Sequence, residues 1–346
     1  MLHAGLDLSR KRLDFDLRDE GGVLVEAGAT GPDAAGLAAL VQRVARYGQP
    51  VRAAIESMTG ARFVHDQLEN LGWEVEIADA LKAKGLAPLA CKTDRIDARV
   101  LAELSRRALV PAIWLPDPTV RAERERARFR LHLVKQRSRL KHRVHAALLA
   151  HGVPCVVTDL FGVRGRTVLA THPVPAPWRA HIETAVSLID ELTRHIGALE
   201  RELRDQGANH RYVPLLMTIP GIAWVLGYTL AAEIGDIGRF PSPQQLTGYT
   251  GLCPRVYQSG GHDRRGRLSK LGPRYLRWAL LEAAIHACRH PVYRDRYQRM
   301  KRRLGKQRGP KVAQIDIARR LAAAIWHVLT RGQPFAPAGA TTPLTA

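Results

Sequence analysis

The first hundred residues change their hydrophobic period in an order that few folds accept. Within Arg12–Arg18, Leu13, Phe15 and Leu17 alternate with Asp14, Asp16 and Arg18. A period of two predicts a strand with one buried and one wet face. Residues 3–27 read as strands, with a turn at Asp19-Glu20-Gly21-Gly22 and a returning strand at Val23–Val25. Asp33–Tyr47 then switches to helical spacing, with Leu37, Leu40, Val41 and Val44 on one side. Val51–Glu56 predicts a short strand, Arg62–Leu71 a helix and Trp73–Ala78 a strand. Asp94–Ala108 predicts a helix with Ile96, Val100, Leu101 and Leu104 facing inward. Three strands followed by alternating helix and strand predict an α/β layer with a mixed sheet.

The pattern then becomes helical. Thr119–His151 carries an apolar stripe of Phe129, Leu133, Leu140, Val144 and Leu148, and between Arg121 and Arg143 it holds ten Lys or Arg against two Glu. An irregular stretch, His151–Pro177, contains Asp159-Leu160-Phe161-Gly162 and a proline-rich end. In Trp178–Asp205 the apolar residues Ile182, Ala185, Ile189, Leu192, Ile196, Leu199 and Leu203 recur in alternating steps of three and four. That is a coiled-coil seam, closed within one chain or between chains, unless it is an ordinary amphipathic core helix. Further on, Ile219-Pro220-Gly221-Ile222 predicts a tight turn between two helices in Leu215–Ile234. The turn resembles a helix-hairpin-helix whose second glycine is replaced by Ala223; the free amides could hold a phosphate, or the turn could be plain. Pro273–His290 and Val312–Leu329 predict further helices, and the chain after Gln333 predicts disorder. The expected division is 1–112, 113–210, 211–335 and a disordered tail 336–346.

Charge narrows the partners. Lys and Arg total 53 against 32 Asp and Glu, a formal +21 in 346 residues. Such an excess repels itself unless a polyanion offsets it, and nucleic acid is the commonest polyanion. The basic residues are spread along the chain, which fits an anionic membrane surface poorly, and no stretch approaches the roughly 20 apolar residues of a membrane span. Cys91, Cys155, Cys253 and Cys288 lack metal-ligand spacing and suggest no disulfide framework, which fits a reducing cytoplasm.

Four carboxylates stand where chemistry could gather. Leu6 and Leu8 would face a core, so Asp7 points to the other side of its strand, and Glu56 ends the apolar run Val51–Ile55. Asp94 and Asp97, at i and i+3 near a helix start, share one face with Cβ atoms roughly 5–6 Å apart. Singly, each has an ordinary explanation: a strand Asp at the surface, or Asp94 as a helix N-cap. Together they would repel unless cations neutralised them, and hard oxygen ligands suit Mg²⁺ or Mn²⁺. Two such ions about 4 Å apart can activate a nucleophile at phosphorus and stabilise the leaving oxygen.

A second constellation lies in Gly248–Gly272. Ser259 precedes Gly260 and Gly261, and Arg255, Arg264, Arg265, Arg267 and Lys270 surround it. Arginines grip phosphate in bidentate fashion. A serine hydroxyl is a weak nucleophile without a base or metal, and no His–Asp partner pattern is evident, although His262 and Asp263 are near. On spacing alone a glycine-rich phosphate-binding turn with an inert serine is the simpler account. Ser242 and Ser269 are rivals, and Ser242 reads as a helix cap before Gln244–Tyr249.

These motifs, in this order, resemble the DEDD-type insertion-sequence transposases of the IS-one-ten group, bridge-RNA-guided recombinases, over nearly the whole chain. The resemblance rests on Gly5-Leu6-Asp7, Ala54-Ile55-Glu56-Ser57 and Lys92-Thr93-Asp94-Arg95-Ile96-Asp97-Ala98-Arg99, then Ile219-Pro220-Gly221-Ile222, Phe240-Pro241-Ser242-Pro243, Gly251-Leu252-Cys253-Pro254-Arg255, Gln258-Ser259-Gly260-Gly261, and Leu268-Ser269-Lys270-Leu271-Gly272 leading into Tyr275-Leu276-Arg277. It implies a ribonuclease-H-like (RuvC-like) first domain, a coiled-coil helical middle and a mostly helical last domain. It implies Mg²⁺ held by Asp7, Glu56, Asp94 and Asp97, and a catalytic Ser259 that forms a covalent phosphoserine with DNA. It also implies donor and target DNA selected by a structured guide RNA, a homo-oligomer (a dimer or tetramer) with catalytic halves from different protomers, and a bacterial, nucleoid-associated location. Candidates for holding nucleic-acid backbone are Arg95, Arg99, Arg124, Arg128, Lys135, Arg139, Arg143, Arg255, Arg264, Arg265, Arg267, Lys270 and Arg274. Two other accounts use the same residues differently: a junction endonuclease needing the carboxylates and not Ser259, and a non-catalytic binder on an inactive nuclease fold.

Overall fold

A computed structural model describes residues 1–86, 93–172 and 174–337, with only the backbone at Asp94 and Arg95. The chain divides into two units, Met1–Leu115 and Pro116–Ala346.

The first unit is a five-stranded sheet in the order β3-β2-β1-β4-β5. Its strands are β1 Leu2–Leu8, β2 Leu13–Arg18, β3 Leu24–Thr30, β4 Val51–Glu56 and β5 Glu74–Ala78. β2 pairs antiparallel with β1 and with β3, whereas β1–β4 and β4–β5 are parallel, so the sheet is mixed as expected. Helices α1 (Ala34–Ala45) and α2 (Ala61–Asn70) cover one face, where Leu6, Phe15, Leu37, Leu40, Ile55, Val64 and Leu68 form the core. Each of these side chains contributes about 2 kcal/mol by leaving water. Asp33 caps α1, its carboxylate accepting from Gly36 N. Helix α3 (Ala80–Leu86) and helix α4 (Asp94–Arg106) follow, and Leu101 and Leu104 of α4 pack with Ala54, Ala78 and Ala83 on the opposite face.

That second helix layer corrects one expectation. The polar face of β2 is not wet: Asp14 and Asp16 are 3% and 7% exposed, because α4 lies over them. Arg12 and Arg18 neutralise them at 2.6 Å each. The cap of α4 is also not Asp94. Thr93 takes the position, its hydroxyl accepting from Ile96 N.

Among the described residues the second unit is helical apart from one hairpin. Helix α5 (Pro118–Ala150) pairs with α7 (Trp178–Ala208), and α6 (Val163–Thr171) lies between them in sequence. The pairing is antiparallel: Arg126 meets Glu202, Arg130 meets Glu200 and Arg137 donates to Thr193 as α5 advances and α7 recedes. Ile182, Ala185, Ile189, Ile196 and Leu203 of the predicted seam are buried, so the seam is used within the chain. The stretch expected to be irregular contains α6, and Leu160 and Val174 beside it are buried against α5 and α7.

Helices α8 (Val213–Met217), α9 (Trp224–Ile234), α10 (Pro243–Tyr249), α11 (Arg274–Ala287) and α12 (Pro291–Arg331) build the second core around Tyr228, Leu230, Ile234, Leu276, Leu280, Ile317, Leu321 and Ile325. In the turn read as either phosphate-binding or plain, Gly221 (φ 86°) packs closely: a Cβ there would lie 2.3 Å from Ala283 O of α11. Ser242 caps α10 as expected. Helix α12 runs well beyond the expected Val312–Leu329. It breaks at Gly305 (φ 76°) and carries Pro310 inside. The chain after Gln333 is ordered at least to Phe335, which is buried and whose N–H donates to Thr218 Oγ1 at 2.8 Å, contrary to the expected disorder. The tail from 338 onward lies outside the described residues, as does Cys91.

Candidate active site and nucleic-acid interface

Strand register builds the carboxylate edge. Leu6 pairs with Ile55 across parallel β1 and β4, and both are fully buried toward α1 and α2. Alternate residues face the other way. One step beyond that pair, Asp7 and Glu56 therefore stand at neighbouring strand ends on the α4 face. The helix reaches them because β1 has no side chain at Gly5. A Cβ there would sit 1.8 Å from Ala98 O and 2.4 Å from Ala102 N. Farther along, Ser105 Oγ meets His3 Nδ1 at 3.2 Å. α4 thus runs against β1, and its first turn, carrying Asp94 and Asp97, lies at the strand's C-terminal edge with Asp7.

Asp7, Glu56 and Asp97 are each partly exposed at this edge. The side chains of Asp94 and Arg95 lie outside the described residues, as does Lys92. Among the described residues no three His, Cys, Asp or Glu side chains form a metal-ligand group. The donor chemistry is nonetheless that of a hard divalent cation, with carboxylate oxygens on two strand ends and one helix start. Asp14 adds a carboxylate that its alternating pattern would leave in solvent. It is registered opposite Asp7 on β2, on the same face, and Arg12 holds it. The signal for it was present in the Asp14–Asp16 alternation, but nothing local announced the second helix layer.

Ser259 lies on a hairpin. Strands β6 (Pro254–Ser259) and β7 (His262–Leu268) pair antiparallel, and Gly260 and Gly261 form the two-residue turn with φ of 55° and 78°. Both turn positions need positive φ, which glycine adopts without strain. Ser259 is registered opposite His262, and Tyr257 opposite Arg264. One face of the ribbon therefore presents Ser259, His262, Tyr257, Arg264 and Arg255. From Arg255 to Arg267 every residue is exposed. Ser259 Oγ makes no hydrogen bond among the described residues. At the base, Arg277 donates to Thr250 O and Lys270 O, fixing the return of the chain into α11.

The basic candidates separate into two groups. Arg124 and Arg128 were expected to face nucleic acid, and their roles are internal. Arg124 donates to Ala232 O and Glu233 O at 2.8 and 2.7 Å, satisfying the C-terminal carbonyls of α9. Arg128 grips Glu233, which is 0% exposed, with both nitrogens at 2.6 and 2.9 Å. Burial alone would lower the Arg128 pKa, but the hydrogen bond and charge of Glu233 outweigh it and raise it. Lone buried charges are costly, so Glu233 calls for a cation at that spot. On the same helix Lys135, Arg139 and Arg143 are exposed at four-residue spacing and share a face. Lys135 also stands 5.7 Å from the ring centre of Tyr275. Arg99, Arg255, Arg264, Arg267, Lys270 and Arg274 are exposed, and Arg265 is exposed with Asp263 at 3.1 Å.

Comparison with known proteins agrees with this layout. The DEDD transposase model of the IS110 group matches residues 4–152, the stretch holding all four carboxylates. The model described as the transposase IS116/IS110/IS902 family matches residues 213–298, the stretch holding Ser259. The chain is similar to the transposase for insertion sequence element IS1328 of Yersinia enterocolitica, 29% identical over 83% of this chain and 86% of that protein. It is 28% identical to the transposase for IS1111A of Coxiella burnetii, over 70% of this chain and 68% of the relative. A pilin gene-inverting protein of Moraxella bovis is 35% identical over 37% of this chain and 39% of its own length.

Proposed function

Because this chain is an IS110-family DEDD transposase, a DNA-cleaving and rejoining enzyme, we propose that it recombines DNA through a covalent phosphoserine at Ser259. Asp7, Glu56, Asp94 and Asp97 hold Mg²⁺, with Mn²⁺ as a substitute. The observation that carries the reading is the backbone approach at Gly5, which brings the start of α4 to the strand ends bearing Asp7 and Glu56.

Ser259 Oγ attacks a DNA phosphorus. The new Oγ–P bond replaces the bond to one bridging oxygen, which leaves as a hydroxyl after taking a proton. Rejoining reverses this: a strand-end hydroxyl attacks the phosphoserine and Oγ departs. His262, registered opposite Ser259, is placed to accept the hydroxyl proton and return it. Arg255 and Arg264 on the same ribbon face grip phosphate oxygens and offset the charge gathering there. A bound divalent cation supplies further positive charge and lowers the cost of ionising an oxygen nucleophile. Both constellations act on the DNA, and the chain works as a homo-oligomer, a dimer or tetramer, in which the two catalytic halves come from different protomers. A structured guide RNA chooses donor and target DNA by base pairing, and the chain grips backbone through Arg99, Lys135, Arg139, Arg143, Lys270 and Arg274. Base pairing and protein divide labour in this way in other guide systems.

A second reading follows from the carboxylate edge being built entirely within the first unit. An endonuclease of RuvC type would hydrolyse DNA there with no covalent intermediate. Ser259→Ala separates the two. Incubated with element-end DNA, guide RNA and Mg²⁺, wild type should give a denaturant-resistant protein–DNA adduct. The variant should give none and should rejoin no strands. If Ser259→Ala still cuts and joins at the wild-type rate, the phosphoserine reading is wrong.

A further inference from the structure

A dense cation run without a carboxylate lies outside both catalytic constellations and outside every nucleic-acid candidate above. From Arg296 to Ile315 there is no Asp or Glu, while Arg299, Lys301, Arg302, Arg303, Lys306, Arg308 and Lys311 follow one another. All seven are exposed, and none is ion-paired among the described residues.

The fold explains why they stand together. α12 reverses at Gly305, where φ is 76° and ψ 176°. The returning segment packs on the outgoing one so closely that a Cβ at Gly309 would lie 2.3 Å from Lys301 O. At the base, Arg296 Nε binds Asp316 Oδ2 at 2.6 Å, and Tyr293 is buried. Residues 291–304 and 306–331 are therefore two antiparallel arms with the tip at Gly305. Burial and neutral pairing belong to the base, and unpaired charge belongs to the tip. Leu304 is 37% exposed among those charges. Such a tip repels itself in isolation, and a polyanion would offset that repulsion.

We propose that this helical arm is a docking site for the phosphate backbone of double-stranded DNA. Charge density favours a duplex. Six helical residues on each arm cover about 9 Å at about 1.5 Å per residue. A duplex carries one negative charge per about 1.7 Å of axis, so that length faces about five phosphates, close to the number of cations. A single strand presents about half that density. The shape agrees: B-form DNA has a major groove about 12 Å wide that admits an α-helix, whereas the major groove of an RNA helix is too narrow for side chains to enter. Contacts from these cations to phosphate oxygens carry no sequence information, so the tip would add affinity to whatever site the guide has chosen, which rests on the function proposed above.

The test is binding, independent of cleavage. The full chain and Arg302→Gln/Arg303→Gln/Lys306→Gln are titrated by fluorescence anisotropy against a 30-base-pair duplex and a stem-loop RNA, at several KCl concentrations. Arg164→Gln/Arg201→Gln/Arg204→Gln removes equal charge from exposed positions elsewhere and serves as control. For the duplex, the slope of log K against log salt should shrink by about 2.7, or about 0.9 for each phosphate no longer neutralised, and affinity near 0.1 M salt should fall at least tenfold. Circular dichroism should match wild type, since the altered side chains are solvent-facing. An unchanged slope overturns the proposal, as does an equal drop in the control. A drop confined to RNA overturns the assignment to DNA.

Discussion

Gly5 decides whether the carboxylates can share an edge. With 1.8 Å between its virtual Cβ and Ala98 O, even a methyl group forces α4 off the sheet. Gly5→Ala should destabilise the first unit by about 3 kcal/mol, at the upper end for overpacked cores, and abolish cleavage while leaving the second unit folded. Urea unfolding and a cleavage assay check this; wild-type stability in the variant would mean that α4 does not bear on β1 there. The sequence made Asp7 and Glu56 legible, since each sits beside apolar neighbours at a strand end. It did not make Asp14 legible, because the residues that cover it belong to a helix some eighty positions later. Arg124 and Arg128 misled for a related reason: their partners Ala232 and Glu233 are more than a hundred positions away, and local charge counts cannot see them.

At the scale of elements, strands and helices announced themselves by period, and the mixed character of the sheet followed, though not its strand order. The serine ribbon was less visible. Pro254–Leu268 has almost no buried face, so the alternation that marks strands is weak, and only Gly260-Gly261 signals the turn. The apolar stripe on α7 was legible in the sequence, and its partner α5 became clear only once the two helices paired. The two arms of α12 went unseen because a run of cations carries no period. Their base offers a pH test. Burial alone would raise the Asp316 pKa, but the hydrogen bond from Arg296 and the charges of Arg296, Arg320 and Arg319 outweigh it and hold the carboxyl below its ordinary value. A depressed carboxylate stabilises the fold above its unfolded pKa, and that contribution fades as pH falls below about 4. Between pH 5 and pH 3 the melting temperature of wild type should therefore drop further than that of Asp316→Asn, which starts lower. Equal drops would show that Asp316 does not link the arms.

For the whole molecule, the excess of 53 basic over 32 acidic side chains gains meaning once the internal pairs are set aside. Arg126, Arg128, Arg130, Arg166 and Arg296 neutralise carboxylates within the fold, whereas the ribbon, one face of α5 and the tip of α12 keep their charge exposed. No described helix is long and apolar enough to cross a membrane. Nucleic acid is the partner that such exposed surfaces suit, and the chemistry proposed for it turns on one hydroxyl. That hydroxyl can be identified directly. Trypsin releases Val256–Arg264 as one peptide, containing Ser259 as its sole serine and Tyr257 as the rival nucleophile. After reaction with element-end DNA, guide RNA and Mg²⁺, followed by nuclease digestion, mass spectrometry should find a nucleotide on Ser259 of this peptide. A nucleotide on Tyr257, or cleaved and rejoined DNA with the peptide unmodified throughout the time course, would contradict the account.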